Sequence, residues 1–61
     1  MNKEEADKLK VGGMVWWHGN VYDIKNISAY GYELEKKRLV IQGVLEGDEP
    51  FMVDADDCDA T

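Results

Sequence analysis

The sequence predicts a mainly β domain, in which a short N-terminal helix precedes a small five-stranded antiparallel barrel. Two observations lead to this fold class. From Met14 onward, apolar and polar residues alternate with the period of two that is typical of half-buried strands. Turn-forming residues divide this region into short strands joined by hairpin-type connections. So small a sheet buries its apolar face only by curling or by dimerising, and we therefore expect a bent, partly open barrel.

The N-terminal helix is predicted over residues 2–10. It should end before Gly12 and Gly13, because adjacent glycines disfavour both helix and strand. About two turns of helix are marginally stable in isolation. Ala6 and Leu9 are therefore expected to rest on the sheet.

The register of each predicted hairpin follows from one rule, that the apolar residues of paired strands share a face. The rule places turns at Gly19 and Asn20, at Lys36 and Lys37, and over 46–50. The predicted pairs are Trp17 with Tyr22, Val15 with Ile24, Tyr32 with Ile41, Leu34 with Leu39, Leu45 with Phe51, and Gly43 with Val53.

Ile27 falls out of phase with this alternation, which predicts a β-bulge near Asn26. The 61 residues are predicted to form one domain, with the barrel over 11–55 and an acidic C-terminal tail over 56–61. The predicted core consists of Val15, Trp17, Tyr22, Ile24, Tyr32, Leu34, Leu39, Ile41, Phe51 and Val53.

One segment resembles a known class of small barrel. The stretch LKVGGMVWWHGNVYDIKNI, residues 9–27, is similar to the opening of SH3-like barrels of the Tudor and KOW type. These begin with a glycine-containing lead-in, a strand, a tight turn, and a second strand in which apolar residues alternate. The resemblance extends over roughly residues 9–55. It implies the barrel, and it implies a domain that binds peptides or nucleic acid without catalysing a reaction.

Size and residue usage narrow the function classes. A chain this short buries about 60% of its surface on folding, which leaves little stability for a deep catalytic cleft, and we predict that it is not an enzyme. With one cysteine, Cys58, and one histidine, His18, neither an internal disulfide nor a zinc site is expected. No cofactor is predicted. The sequence shows neither a membrane-spanning run nor a signal segment, so a soluble, cytoplasmic protein is expected.

Charge is distributed unevenly along the chain, whose net charge is -6. Residues 1–38 hold all seven basic residues and six acidic ones, whereas residues 39–61 hold seven acidic residues and no basic one. Three interpretations of the acidic stretch remain open: a solvated tail, a surface that faces a partner, or a calcium site. Asp54, Asp56 and Asp57 would supply calcium ligands, but their spacing does not fit an EF-hand.

Two adjacent tryptophans raise a specific question, because neighbouring side chains of a strand point to opposite faces. Trp17 belongs to the predicted core, so Trp16 points outward, opposite Asp23 in the predicted register. Either the N-terminal segment near Leu9 or Val11 covers Trp16, or the indole is exposed and anchors a partner. An aromatic cage is disfavoured, because most of the other aromatic residues fall on the core face.

These observations favour a non-enzymatic interaction protein that docks an acidic face on a basic surface of a protein partner. One form of this hypothesis is an inhibitor or nucleic-acid mimic, by analogy with small phage proteins, whose partner surface normally holds nucleic acid. The alternative is a Tudor/KOW-like module that binds nucleic acid or peptide directly. For nucleic acid this alternative is disfavoured, because the chain has few cationic side chains to replace the counterions of phosphate. The predicted partner-binding residues are Trp16, Glu46, Asp48, Glu49, Asp54, Asp56 and Asp57.

Overall fold

A computed structural model of the protein describes residues 3–44 and 47–60. Within these residues lie one short helix, two 3-10 turns and five strands. The 3-10 turns are Tyr32–Leu34 and Ala55–Asp57. The helix and the strands are α1 (Lys3–Asp7), β1 (Met14–Trp17), β2 (Asn20–Tyr30), β3 (Lys36–Gln42), β4 (Phe51–Asp54) and β5 (Cys58–Ala60).

The five strands form one antiparallel sheet in the order β4-β3-β2-β1-β5. Within the described residues the sheet is open, because β4 and β5 lie at its two edges and do not pair with each other. The mainly β class, the five antiparallel strands and the short N-terminal helix are therefore confirmed, whereas the predicted barrel is not. Across residues 3–44 and 47–60, no helix has the length and apolar character needed to cross a membrane.

The open sheet is strongly curled. Trp17 lies on β1 and Phe51 on β4, and these strands are three places apart in the sheet order. In a flat sheet this separation corresponds to about 14 Å. Their ring centroids are nevertheless only 5.0 Å apart. Tyr22 of β2 contacts both rings, at 5.8 Å from Trp17 and 5.5 Å from Phe51. This aromatic contact brings the two halves of the sheet together over a shared core.

The first hairpin has a different register from the predicted one. Val15 pairs with Tyr22, and Trp17 pairs with Asn20. The turn consists of His18 and Gly19, with φ of 50° and 81°, as in the type I′ turns that favour glycine at the second central position. The predicted turn was therefore one residue too late. The pairs shift by two residues, an even number, so the division of side chains between the two faces is as predicted.

The second hairpin departs further from the prediction. β2 is continuous through Tyr30, which pairs with Lys36, so Lys36 and Lys37 lie in β3 and not in a turn. Ile27, not Leu34, pairs with Leu39. The rule that apolar residues of paired strands share a face could not decide here. The predicted pairing of Leu39 with Leu34 and the observed pairing with Ile27 both satisfy it. The register shift between Ile24 and Asn26 confirms the predicted bulge.

The loop between β2 and β3 contains two residues wrongly assigned to the core. Tyr32 is 83% exposed and Leu34 is 63% exposed. Gly31, with a φ of 86°, ends β2 ahead of them. Glu33 and Leu34 also have positive φ, at 60° and 56°, a conformation that costs an ordinary L-residue roughly 1 to 2 kcal/mol.

The third connection is longer than predicted. Ile41 pairs with Phe51 and Leu39 with Val53, whereas the prediction paired Val53 with Gly43. Gly43 instead borders the ring of Tyr22. The predicted partner of Phe51, Leu45, lies outside the described residues. The shift along β4 is again even, so Phe51 and Val53 still pack against the core as predicted.

The predicted acidic tail is largely ordered structure that belongs to the sheet. Residues 55–57 form a 3-10 turn, and β5 pairs with β1. Ala55 and Cys58 are each only 1% exposed. Because these two residues supply apolar contacts, the chain returns to the core despite its charge. The prediction of a tail over 56–61 was therefore wrong for the described residues 56–60.

The core confirms most of the predicted residues. Apart from Tyr32 and Leu34, every residue of the predicted core is buried or packs against the buried cluster. Ala6 is buried and Leu9 packs beside it, so the N-terminal segment rests on the sheet as predicted, although α1 ends at Asp7 rather than at residue 10. The fully buried side chains are Val15, Ile24, Leu39, Ile41 and Cys58.

Candidate partner-binding face

Trp16 lies on the outer face of β1 and is 42% exposed. Its neighbours in the sheet are Val21 of β2 and Asp59 of β5. Directly paired residues of antiparallel strands have Cβ atoms about 5 Å apart, so the three side chains form a row across the sheet. Trp16 is exposed, Leu9 packs against the core and Val11 is itself 61% exposed, so the interpretation in which Leu9 or Val11 covers the indole is not supported.

The row is part of a larger face that we call the Trp16 face, formed by Met14, Trp16, Val21, Asp23 and Asp59. Met14 pairs with Asp23, which places an apolar and an acidic side chain beside the central row. All five side chains are exposed. An apolar strip of three residues is thus bordered by a carboxylate on β2 and another on β5. Asp23 lies opposite Met14 rather than Trp16, which corrects the predicted pairing.

Two predicted site residues lie next to this face. Asp56 and Asp57 are exposed on the 3-10 turn that leads directly into β5. Asp57 precedes Cys58, whose pairing partner is Trp17. These two carboxylates and Asp59 therefore follow the same edge of the sheet. Asp59 was not among the predicted site residues, because its segment was assigned to a tail.

Asp54 belongs to a separate polar cluster. The hydroxyl of Tyr30 donates a hydrogen bond of 2.6 Å to Asp54, and Arg38 Nε lies 3.5 Å from the same carboxylate oxygen. The guanidinium also stacks over the Tyr30 ring, 4.1 Å from its centroid. The Tyr30 hydrogen bond is the main reason why the pKa of Asp54 is lowered, and Arg38 adds to the effect. Asp54 is thus engaged within the fold and does not extend the Trp16 face.

The remaining predicted site residues lie elsewhere. Asp48 and Glu49 are exposed in the connection between β3 and β4, and Gln42 donates a side-chain hydrogen bond to the carbonyl oxygen of Asp48. This connection and the turn bearing Asp56 are at opposite ends of β4, which is about 10 Å long. Glu46 lies outside the described residues. The structure therefore places Asp56 and Asp57 on the turn that enters β5, the strand paired with Trp16, but does not bring Asp48 and Glu49 to the same edge.

The aromatic residues do not form a cage. Tyr22 and Phe51 pack with Trp17 in the core, Tyr30 contacts Arg38, and Tyr32 lies in the loop before β3. Nor is there a metal centre in the part of the chain that the structure describes, where no group of three His, Cys, Asp or Glu side chains is placed to hold an ion. The calcium interpretation is unsupported, because Asp54 is bound to Tyr30 and Arg38.

A cavity of about 320 Å³ adjoins the Met14 end of the Trp16 face. Its apolar walls come from the segment after α1 and from three strands, and charged side chains of the N-terminal segment border it. Ile24 is buried and Ala60 pairs with the buried Val15, so the cavity lies on the core side of the sheet and not on the exposed strip. The lining residues are Glu5, Lys8, Leu9, Lys10, Gly13, Met14, Ile24 and Ala60.

Cys58 is predicted to be unreactive in the folded protein. Burial raises the pKa of its thiol to about 11, and the charges of Asp57 and Asp59 contribute in the same direction. Against a free cysteine of pKa about 8.5, the thiolate fraction at pH 8 should be lower by roughly two orders of magnitude. Alkylation with iodoacetamide should therefore be slow in buffer and rapid in concentrated urea, as followed by mass spectrometry. Equal rates in the two solvents would show that Cys58 is accessible.

Comparison with known proteins adds no relative. No protein-family model, no curated protein and no solved structure matches this chain. A function can therefore be inferred only from the chemistry of the exposed side chains.

Proposed function

We propose that this protein is a non-enzymatic interaction protein whose Trp16 face docks on a basic surface of a protein partner. One observation carries the proposal. Trp16 is a half-exposed indole that pairs across the sheet with Asp59, on the edge that also bears Asp56 and Asp57. A large aromatic group beside several carboxylates suits a partner that offers both an apolar contact and positive charge.

The two kinds of side chain have different roles in the proposed complex. Carboxylates exposed at the border of the face attract a basic partner over a distance and so raise the rate of association. Trp16 becomes buried when the complex forms, and burial of an aromatic side chain mainly slows dissociation. The negative charge of residues 39–61, which contain seven acidic residues and no basic one, extends the attraction beyond the face itself.

The partner surface in this proposal is one that normally binds nucleic acid. Such surfaces carry lysine and arginine to replace the counterions of phosphate, and a protein that presents carboxylates competes for them. The protein would then act as an inhibitor or nucleic-acid mimic. Part of the proposal is that the curled sheet is an SH3-like barrel in an open form. The contact between Trp17 and Phe51 supports this, because it brings β1 close to β4.

Direct binding of nucleic acid has less support. Two of the three consecutive cations of β3 face acidic side chains of the same chain: Lys37 lies 3.9 Å from Asp7, and Arg38 lies 3.5 Å from Asp54. Most of the acidic residues are exposed and repel phosphate. Tight, salt-sensitive binding to duplex DNA in a mobility-shift titration would contradict the proposal and favour this alternative.

The proposal predicts two separable kinetic effects. Asp57→Asn with Asp59→Asn should slow association severalfold, because the steering charge is reduced. Trp16→Ala should leave association nearly unchanged and accelerate dissociation tenfold or more, as expected for loss of an aromatic anchor. The measurement uses a partner captured from cell lysate at low salt, purified, and analysed by biolayer interferometry.

A matched double variant provides the control. Asp48→Asn with Glu49→Gln removes the same number of charges from the connection between β3 and β4, away from the Trp16 face. It should slow association less than the Asp57 and Asp59 pair does. Equal effects of the two double variants would show that only the net charge of the protein matters, and not the position of the carboxylates. Unchanged kinetics in all three variants would rule out the Trp16 face as the docking surface.

A further inference from the structure

A second exposed apolar feature lies far from the Trp16 face. We call residues 31–35 the hairpin tip, since they connect β2 to β3. The strand β2 links the two features: Val21 is the neighbour of Trp16, and Tyr30 immediately precedes the tip. The intervening strand corresponds to up to about 30 Å of extended chain, in a protein that measures 34 × 18 × 18 Å. The tip is therefore a separate surface.

The side chains of the hairpin tip lack a role in the fold. Tyr32 and Leu34 are 83% and 63% exposed, more than Trp16. Neither belongs to the core cluster or packs against it. A single exposed leucine is unremarkable, but two large apolar side chains within three residues form a local contact surface.

The backbone conformation of the hairpin tip is unfavourable for the stability of the fold. Leu34 has a φ of 56° and follows Glu33, whose φ is 60°. Glycine, asparagine and aspartate are the residues that adopt this left-handed conformation readily, and leucine is not. The fold would be more stable with asparagine at position 34. Strained, exposed residues of this kind are concentrated at functional sites.

We propose that the hairpin tip inserts Tyr32 and Leu34 into an apolar pocket of a protein whose pocket rim is positively charged. Glu33 and Glu35 alternate with the two apolar side chains and are exposed, so they would meet a basic rim. The exposed Lys36 lies beside Gly31 at the base of the tip, where Asp54 partly balances its charge. A backbone hydrogen bond of 3.1 Å from Leu34 N to Gly31 O holds the tip in shape before binding. Preorganisation of this kind lowers the entropy lost on association.

Charge disfavours two other occupants of the tip. A second copy of this chain would place Glu33 and Glu35 near their own equivalents, between molecules of net charge -6. An anionic membrane surface would repel the same carboxylates. A protein pocket with a basic rim has neither disadvantage.

The first test measures stability. Leu34→Asn should raise the midpoint of thermal unfolding by several degrees, because asparagine relieves the strain and little burial is lost. Tyr32→Asn is the matched control, since it removes an apolar side chain that is even more exposed from a residue outside the positive-φ region, and it should leave the midpoint unchanged. An unchanged or lower midpoint for Leu34→Asn would contradict the argument from strain.

The second test identifies the contact. A benzophenone side chain, introduced as Tyr32→p-benzoylphenylalanine, is irradiated in cell lysate and compared with the same probe at the exposed Glu49, which lies away from both the tip and the Trp16 face. We expect one discrete adduct from position 32, which persists at about 0.5 M salt because apolar contact is not screened. Adding Leu34→Asn should reduce it at least tenfold. The captured protein, once purified, should bind Tyr32→Asn at least tenfold more weakly than it binds the original chain.

Several results would overturn the proposal: no adduct, equal adducts from positions 32 and 49, or no dependence on Leu34. Concentration-dependent dimers in sedimentation would assign the tip to self-association, and co-flotation with phosphatidylglycerol vesicles would assign it to a membrane. The test does not depend on the Trp16 face, because the probe and the deciding variant are both in the tip. Failure of one surface therefore leaves the other unaffected.

Discussion

Trp17→Ala is expected to unfold the domain, whereas Trp16→Ala leaves it folded. The Trp17 ring contacts Phe51 and Tyr22 and so joins the two halves of the curled sheet. Truncation of a core aromatic typically costs about 3 to 5 kcal/mol, and a domain of this length has a total stability of roughly 3 to 9 kcal/mol. Urea unfolding followed by circular dichroism measures both variants.

Trp17→Phe serves as the control for this prediction. Phenylalanine keeps an aromatic ring against Phe51, so this variant should lose less stability than Trp17→Ala and remain folded at low temperature. Trp16→Ala removes a side chain that is 42% exposed, and its unfolding midpoint should stay close to that of the original chain. If Trp16→Ala unfolded the domain and Trp17→Ala did not, the assignment of the two faces of β1 would be incorrect.

Gly43→Ala should also destabilise the domain strongly, by about 2 to 3 kcal/mol. A Cβ atom at position 43 would lie 2.5 Å from Cδ1 and 2.8 Å from Cε1 of Tyr22. Tyr22 is only 3% exposed and packs against Trp17 and Phe51. Its ring therefore cannot move away without disturbing the aromatic contact that holds the sheet curled. The midpoint of urea unfolding measures the loss.

A double-mutant cycle separates this clash from a general effect of replacing glycine. Tyr22→Leu removes the ring atoms that the new methyl group would meet, although it destabilises the protein by itself. In that background Gly43→Ala should cost much less than in the original chain, so the two changes should be non-additive. Additive losses would show that Gly43 is required for its backbone conformation and not for its closeness to Tyr22.

The sequence predicted which face each strand residue occupies better than which residue it pairs with. Alternation identifies the core side of β1 and β2 correctly, because a strand has only two faces. It cannot distinguish registers that differ by an even number of residues. Val15 therefore has Tyr22 as its partner rather than Ile24, although all three are buried as predicted.

The larger errors arose where composition obscured the local signal. Tyr32 and Leu34 alternate with glutamates and so match a strand, but Gly31 turns the chain before them. Cys58 is surrounded by aspartates, which suggests a solvated tail, yet it is fully buried. For the candidate site, the outward orientation of Trp16 followed from alternation, whereas its exposure did not. Its closeness to Asp59 did not, because that pairing depends on residues far apart in the sequence.

Pairing of β5 with β1 delays completion of the fold during translation. Val15 leaves the ribosome well before its partner Ala60, which follows it by 45 residues in the chain. Contacts of such large sequence separation form slowly compared with local hairpins. Until Cys58–Ala60 emerges, the edge of β1 remains unpaired and the apolar side of the nascent sheet is incompletely covered. A ribosome stalled before Cys58 would therefore hold a chain that is prone to aggregation and accessible to chaperones.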